Sequence, residues 1–194
     1  MRPSRRTVML AVVAVGIAAG WYFINARAFV NPQLTWGFEC NEKAAYAELL
    51  ELVTRDAEVL RQDVPGTAEV RYSIEYQFQN YVDGRIIDGA EGLGPYLPTR
   101  VRYLGEHAGR PVPLEREMLA CLRKIEEKHA LPFCPDLVDV YPDQVDFFTD
   151  TAGDILFYTC DQRALPRFFG AWGVPGHFIL YRLCDHWYYA CVTR

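Results

Sequence analysis

The pattern of apolar and polar positions changes character several times along the chain. Val8 to Ile24 is a run of 17 uncharged residues, apolar on every side of a helix. A run of this length behind Arg2, Arg5 and Arg6 predicts a membrane-crossing helix, which needs about 17–25 apolar residues. Trp21-Tyr22-Phe23 fits an aromatic belt at its outer end. A cleaved signal peptide, with Ala26-Arg27-Ala28 as the processing site, is the second reading of the same segment. The arginines assign the N-terminus to the cytoplasmic side and the rest of the chain to the outside. Phe29 to Glu39 reads as a linker, because Asn31-Pro32 disfavours helix there. The expected organisation is a signal-anchor over 1–28, a linker over 29–40 and an exported domain over 41–194.

Beyond the linker the period becomes helical. Tyr46, Leu49, Leu50, Val53, Ala57 and Leu60 fall on one stripe, and Glu48, Glu51, Arg55, Glu58 and Arg61 fall outside it. This predicts a helix from Glu42 to about Gln62, capped by Asn41 and ended by Pro65-Gly66. Thr67 to Gln79 alternates strictly, which predicts a half-buried strand. Asp83-Gly84 predicts a hairpin turn, with Arg85 to Asp88 returning. Asp88 to Pro98 reads as loop and residues 99–109 as a short helix. Leu114 to His129 predicts a second amphipathic helix, with Met118, Cys121, Leu122 and Ile125 inward. Asp154 to Cys160, His177 to Leu183 and His186 to Val192 read as strands. The fold class expected is α+β: an N-terminal transmembrane helix, then one antiparallel-sheet domain with two main helices, braced by disulfides.

Charge narrows the partners. The 194 residues carry 20 Lys and Arg against 25 Asp and Glu. Four of the arginines lie in residues 1–28, so the remaining 166 residues hold 16 basic and 25 acidic groups, a net of −9. Nucleic acid is excluded as a partner on sign, and a cationic protein is the natural electrostatic complement. All six cysteines, Cys40, Cys121, Cys134, Cys160, Cys184 and Cys191, follow the apolar segment. An even count in an exported domain predicts disulfides. Fifteen pairings are possible and the sequence does not choose among them; Cys121–Cys134 is the easiest to defend, Cys160–Cys191 comes next, and Cys40–Cys184 is what then remains. No zinc-type cysteine or histidine spacing occurs, and neither a metal nor a cofactor is expected.

Two stretches invite a chemical reading. Asp143, Asp146, Asp150 and Asp154 crowd one region, as in paired-carboxylate chemistry, although aspartate is also the natural residue of turns. Gly153-Asp154-Ile-Leu-Phe-Tyr158 followed by His177-Phe-Ile-Leu-Tyr181 resembles the core of the NlpC/P60 cell-wall peptidases. That resemblance implies a thiol hydrolase using Cys134 or Cys121 as nucleophile and His177 as its base. The chain departs from the family pattern at the nucleophile, where D-C-S-G is absent.

Residues 141–194 hold 13 of the chain's 27 aromatics. Within them Phe168, Phe169 and Trp172 sit among Gly and Pro and suit a contact surface. The reading these observations favour is a membrane-anchored, exported binding domain, single-pass in the cytoplasmic membrane through residues 8–24. It leans away from enzyme activity. It would contact a protein or envelope component, as an immunity or inhibitor protein does or as an envelope-assembly subunit does.

Overall fold

The computed structural model describes residues 28–29, 31–78, 80–82, 85–87, 96–128, 135–148, 155–160 and 177–193. Strand β1 (Ala28–Phe29) is followed by helix α1 (Pro32–Gly37), a π-helical turn (Phe38–Glu42) and the long helix α2 (Lys43–Asp63). Strands β2 (Val70–Phe78), β3 (Asn80–Val82), β4 (Arg85–Ile87) and β5 (Tyr96–Tyr103) come next. Helix α3 (Glu115–Lys128) precedes β6 (Leu137–Val140), β7 (Gln144–Phe148), β8 (Ile155–Thr159), β9 (His177–Cys184) and β10 (Trp187–Thr193). One sheet runs in the order β1-β9-β10-β8-β7-β6-β2-β5, and β3–β4 form a separate hairpin. Only the two-residue β1 pairs in parallel, with Leu180 and Tyr181 of β9; the other seven strands are antiparallel.

The two faces of the sheet differ. Val70, Tyr72 and Ile74 of β2, Val138 and Val140 of β6, Val145 and Phe147 of β7, and Trp187 and Tyr189 of β10 point toward the helices. They meet Phe38, Tyr46, Leu49, Val53, Ala57 and Leu60 from the α1–α2 run, and Met118, Cys121, Leu122 and Ile125 from α3. Phe38 stands 5.5 Å from Trp187, and Tyr46 meets Phe147 edge-on at 5.6 Å, measured between ring centroids. Burying each of these rings contributes roughly 1.5–3 kcal/mol. On the opposite face Phe148, Ile155, Phe157, Leu180, Tyr188 and Ala190 form a second apolar cluster built from the sheet strands.

A buried carboxylate fastens the helices to the sheet. Asp56, on the apolar stripe of α2, is 1 % exposed. Its Oδ2 accepts from Tyr72 Oη of β2 at 3.0 Å and from Tyr103 Oη of β5. Its Oδ1 accepts from the backbone N–H of Leu114, just before α3, at 3.4 Å. One side chain thus ties α2 to β2, β5 and the start of α3. Burial and the neighbouring Asp56 carboxylate push both phenols above their ordinary range.

Several sequence expectations are corrected here. The transmembrane helix of the expected fold class, and the single-pass exported placement built on it, find no support. Among the described residues no helix is long and apolar enough to cross a membrane, and residues 8–24 lie outside them. The disulfide bracing is also withdrawn: Cys40, Cys121, Cys160 and Cys184 are free thiols. Each expected pair contains at least one of the four, so none of the three forms. Cys121 shows the physical reason: it is fully buried and bonded to the Glu48 carboxylate at the α2–α3 contact. Cys134 and the side chain of Cys191 lie outside the described residues.

Asn31-Pro32 starts a helix rather than preventing one. The Asn31 side chain accepts from the N–H groups of Gln33 and Leu34, and Pro32 takes the first helical position. The helical run is therefore capped at Asn31, not Asn41, and the expected linker carries the buried Phe38. Residues 96–103 form a strand instead of loop and helix, paired among the described residues with β2 alone; its Pro98 lies beside a bulge in that pairing, where proline is tolerated.

Replacing Asp56 by Ala takes the carboxylate acceptor from the Tyr103 phenol and the Leu114 N–H, and leaves Tyr72 only the Val53 carbonyl at 3.3 Å. The expected loss is on the order of 3 kcal/mol in urea unfolding, against about 1 kcal/mol for Tyr72→Phe.

Candidate functional site

The site grows out of the turn between β6 and β7. Pro142 and Asp143 occupy its tip, both turn-forming residues, and the N–H of Tyr141 donates to the carbonyl of Gln144 at 2.8 Å. Thr159 Oγ1 of β8 donates to the Asp143 carbonyl at 3.3 Å, which holds the turn against the next strand pair. Arg61 Nη2 of α2 donates to the Val140 carbonyl at 2.9 Å, which fixes the helix beside the turn.

Between that turn and the outward side of α2 lies an open groove of about 530 Å³. Leu50, Glu51, Thr54, Arg55 and Glu58 form the helix wall, and Tyr141, Asp143, Gln144, Val145, Tyr158 and Cys160 are among the residues of the other. Three carboxylates and one guanidinium line it, together with two phenols and an apolar floor. Glu51 and Glu58 are exposed, and neither makes an ion pair among the described residues.

Behind the turn, on the face of the sheet away from the helices, charged side chains stand in one cross-strand row. Arg71 of β2 is opposite Asp139 of β6, and Asp139 is opposite Asp146 of β7. Phe157 of β8 follows Asp146, and Tyr188 of β10 follows Phe157. Asp139 and Asp146 are 1 % and 3 % exposed. The Arg71 guanidinium grips Asp139 through Nε at 3.1 Å and Nη2 at 2.9 Å, and meets Glu69 at 2.8 Å. Burial raises the Asp139 carboxyl against the pull of Arg71. Asp146 accepts from Gln144 Nε2 at 2.5 Å, and among the described residues no cation is paired with it. Burial pushes its carboxyl up to about 7, with Asp139, Glu69 and Asp143 adding to the rise and the Gln144 bond opposing it.

Two residues belong to both features. Tyr141 lines the groove, and its Oη donates to Glu69 Oε1 at 3.1 Å. Gln144 lines the groove and holds Asp146. The groove is open to solvent and suits a ligand, whereas the carboxyl pair is sealed from water and suits proton storage.

The residues named from sequence are placed unevenly. Cys121 is in the interior of α3, and burial with the Glu48 carboxylate pushes its thiol up to about 12, the reverse of an activated nucleophile. His177 opens β9, near one edge of the sheet, while α3 packs against α2 and the opposite edge strand β5. The structure therefore does not bring Cys121 and His177 together. Cys134, Asp150, Asp154, Phe168, Phe169 and Trp172 lie outside the described residues. His107 is buried beside Tyr103. Of the clustered aspartates, Asp143 sits on the groove and Asp146 behind it. Their partners Asp139, Glu69 and Arg71 carry a sequence signal only as charges in alternating strand positions.

Two outcomes follow. Asp146 keeps its proton to about pH 7 in the folded chain, whereas an unfolded aspartate releases it near 3.8. The resulting stabilisation is complete below that lower value and is lost as pH rises through about 7. Asp146→Asn keeps the acceptor for Gln144 and cannot ionise. It should exceed the wild-type chain in urea unfolding at pH 8 by a few kcal/mol, on the order of 2–4, and match it near pH 4. Alkylation read by mass spectrometry should label exposed Cys40 and Cys160 in the native chain, and Cys121 only after unfolding.

Comparison with known proteins finds no matching family model, no matching curated protein and no matching solved structure, so the function is read from this geometry.

Proposed function

We propose that the chain is a non-enzymatic binding domain whose groove between α2 and the β6–β7 turn takes a basic segment of another protein. The observation that carries this reading is the groove's composition: Glu51, Glu58 and Asp143 above a floor containing Leu50, Val145 and Tyr158. A lysine or arginine lays its aliphatic stem on apolar and aromatic surface and its charged head on carboxylates. The acidic excess of the whole chain, net −5, acts in the same direction by steering a cationic partner toward it.

The thiol-hydrolase alternative receives less support. It needs a low-pKa, accessible cysteine within reach of a histidine. Cys121 offers a buried, protonated thiol at a helix–helix contact.

A synthetic peptide of alternating lysine and leucine is a suitable probe. Titrated into the isotope-labelled chain, it should first shift the amides of α2 around Glu51 and those of Tyr141 to Val145. Replacing Glu51, Glu58 and Asp143 together by Gln, Gln and Asn should weaken it about tenfold, at roughly 0.5 kcal/mol per exposed charge. Unchanged affinity in that variant, or shifts confined to other surfaces, would overturn the reading.

A further inference from the structure

The Asp139–Asp146 pair has a geometry that ordinary surface carboxylates lack. The two side chains are cross-strand neighbours on one face of the β6–β7 hairpin, and both are more than nine-tenths buried. Arg71 reaches Asp139 through Nη2 and through an Nε that it shares with Glu69, so Asp139 has its counter-charge. Asp146 has the neutral amide of Gln144. Two like charges at this separation and burial are not held at once without cost, and the pair stores a proton. The ionisable and charged groups facing Asp146 among the described residues are Asp139, Glu69 and Arg71 from β6 and the β2 segment, and Tyr141 and Asp143 from the turn. From β8, the residue opposite is Phe157, which brings no charge.

The turn that closes this hairpin is also a wall of the groove. Gln144 reaches Asp146 with its side chain, and its carbonyl closes the turn on Tyr141. Tyr141 connects to Asp139 through Glu69 and Arg71. The charge of Asp146 is thus one hydrogen bond away from a groove-lining residue.

We infer that occupancy of the groove is proton-linked: a cationic segment bound there favours ionised Asp146, so binding releases the proton that the Asp139–Asp146 pair stores, and affinity rises with pH. This rests on the groove being the binding site. The coupling is reciprocal, because whatever favours the anion in the bound chain makes deprotonation strengthen binding by the same factor. Near-neutral conditions are where the device responds, since burial sets the carboxyl of Asp146 at about 7. A pH change of two units across that range adds one negative charge behind the turn.

The test uses the full chain and the lysine–leucine peptide. Calorimetric titration at pH 5.5, 7 and 8, in two buffers of different ionisation enthalpy, should show affinity rising at least threefold with pH. It should also show net proton release near pH 7. Asp146→Asn should bind with a flat pH profile and no proton release, which separates this carboxyl from every other group in the chain. A flat profile in the wild-type chain, or an unchanged slope in Asp146→Asn, overturns the linkage while leaving the groove reading intact. Peptide binding indifferent to the Glu51, Glu58 and Asp143 replacements overturns the groove reading instead. Where the peptide does not bind at all, carboxyl-carbon NMR of the free chain decides. Asp146 should titrate near 7 with the Tyr141 and Gln144 amides shifting in step, and a midpoint near 4, or amides that do not follow, overturns the inference.

Discussion

The position of α2 on the sheet decides everything else in this molecule, and a single buried carboxylate sets it. Asp56 lies in the middle of the helix on the face that must be apolar to pack. A bare aspartate there would cost several kcal/mol. Two phenols and a backbone N–H offset that cost, and each comes from a different element. Such a network is directional in a way that apolar contact is not. It permits one rotation and one height of α2 over β2 and β5. That rotation leaves Leu50, Glu51 and Glu58 facing the β6–β7 turn, with Arg61 bonded to the strand just before it. The groove is a consequence of the docking and not of its own lining.

The elements with a clean period were legible in the sequence. The stripe from Tyr46 to Leu60 marks α2, and Met118, Cys121, Leu122 and Ile125 mark the inward face of α3. The alternation of Val70, Tyr72 and Ile74 marks β2. What was not legible has a common physical cause: polar residues used where apolar ones are usual. Asp139 in Leu-Val-Asp-Val and Asp146 in Gln-Val-Asp-Phe-Phe sit mid-strand, in runs that read as an acidic turn region. Their burial depends on Arg71, which is distant in sequence and adjacent only through strand pairing. Asp56 escaped notice for the same reason, as a charge within an apolar stripe. Asn31-Pro32 failed in the opposite sense, because the pair that breaks a helix from within also starts one at its N-terminus. For the site, the exposed Glu51 and Glu58 and the turn residue Asp143 stood out as charges, but nothing local says that helix and turn face each other.

The acidic excess is spent unevenly. Several exposed acids are matched one to one by nearby cations: Glu48 by Lys124 at 2.7 Å, Glu75 by Arg102 at 2.5 Å, and Asp185 by Arg182 at 3.0 Å. Pairs of this kind add little stability individually. Their electrostatic effect is local: each pair cancels most of its own field. Among the described residues that line the groove, Arg55 is the one cation, set between Glu51 and Glu58 on the same helix. Glu51, Glu58 and Asp143 stand where the surface is concave and partly apolar, and low-dielectric walls strengthen a field there. Buried and exposed carboxylates do different work on either side of one turn. Those in the groove supply attraction. The pair behind it holds one proton at lower pH, and losing that proton adds one negative charge behind the groove without moving a strand.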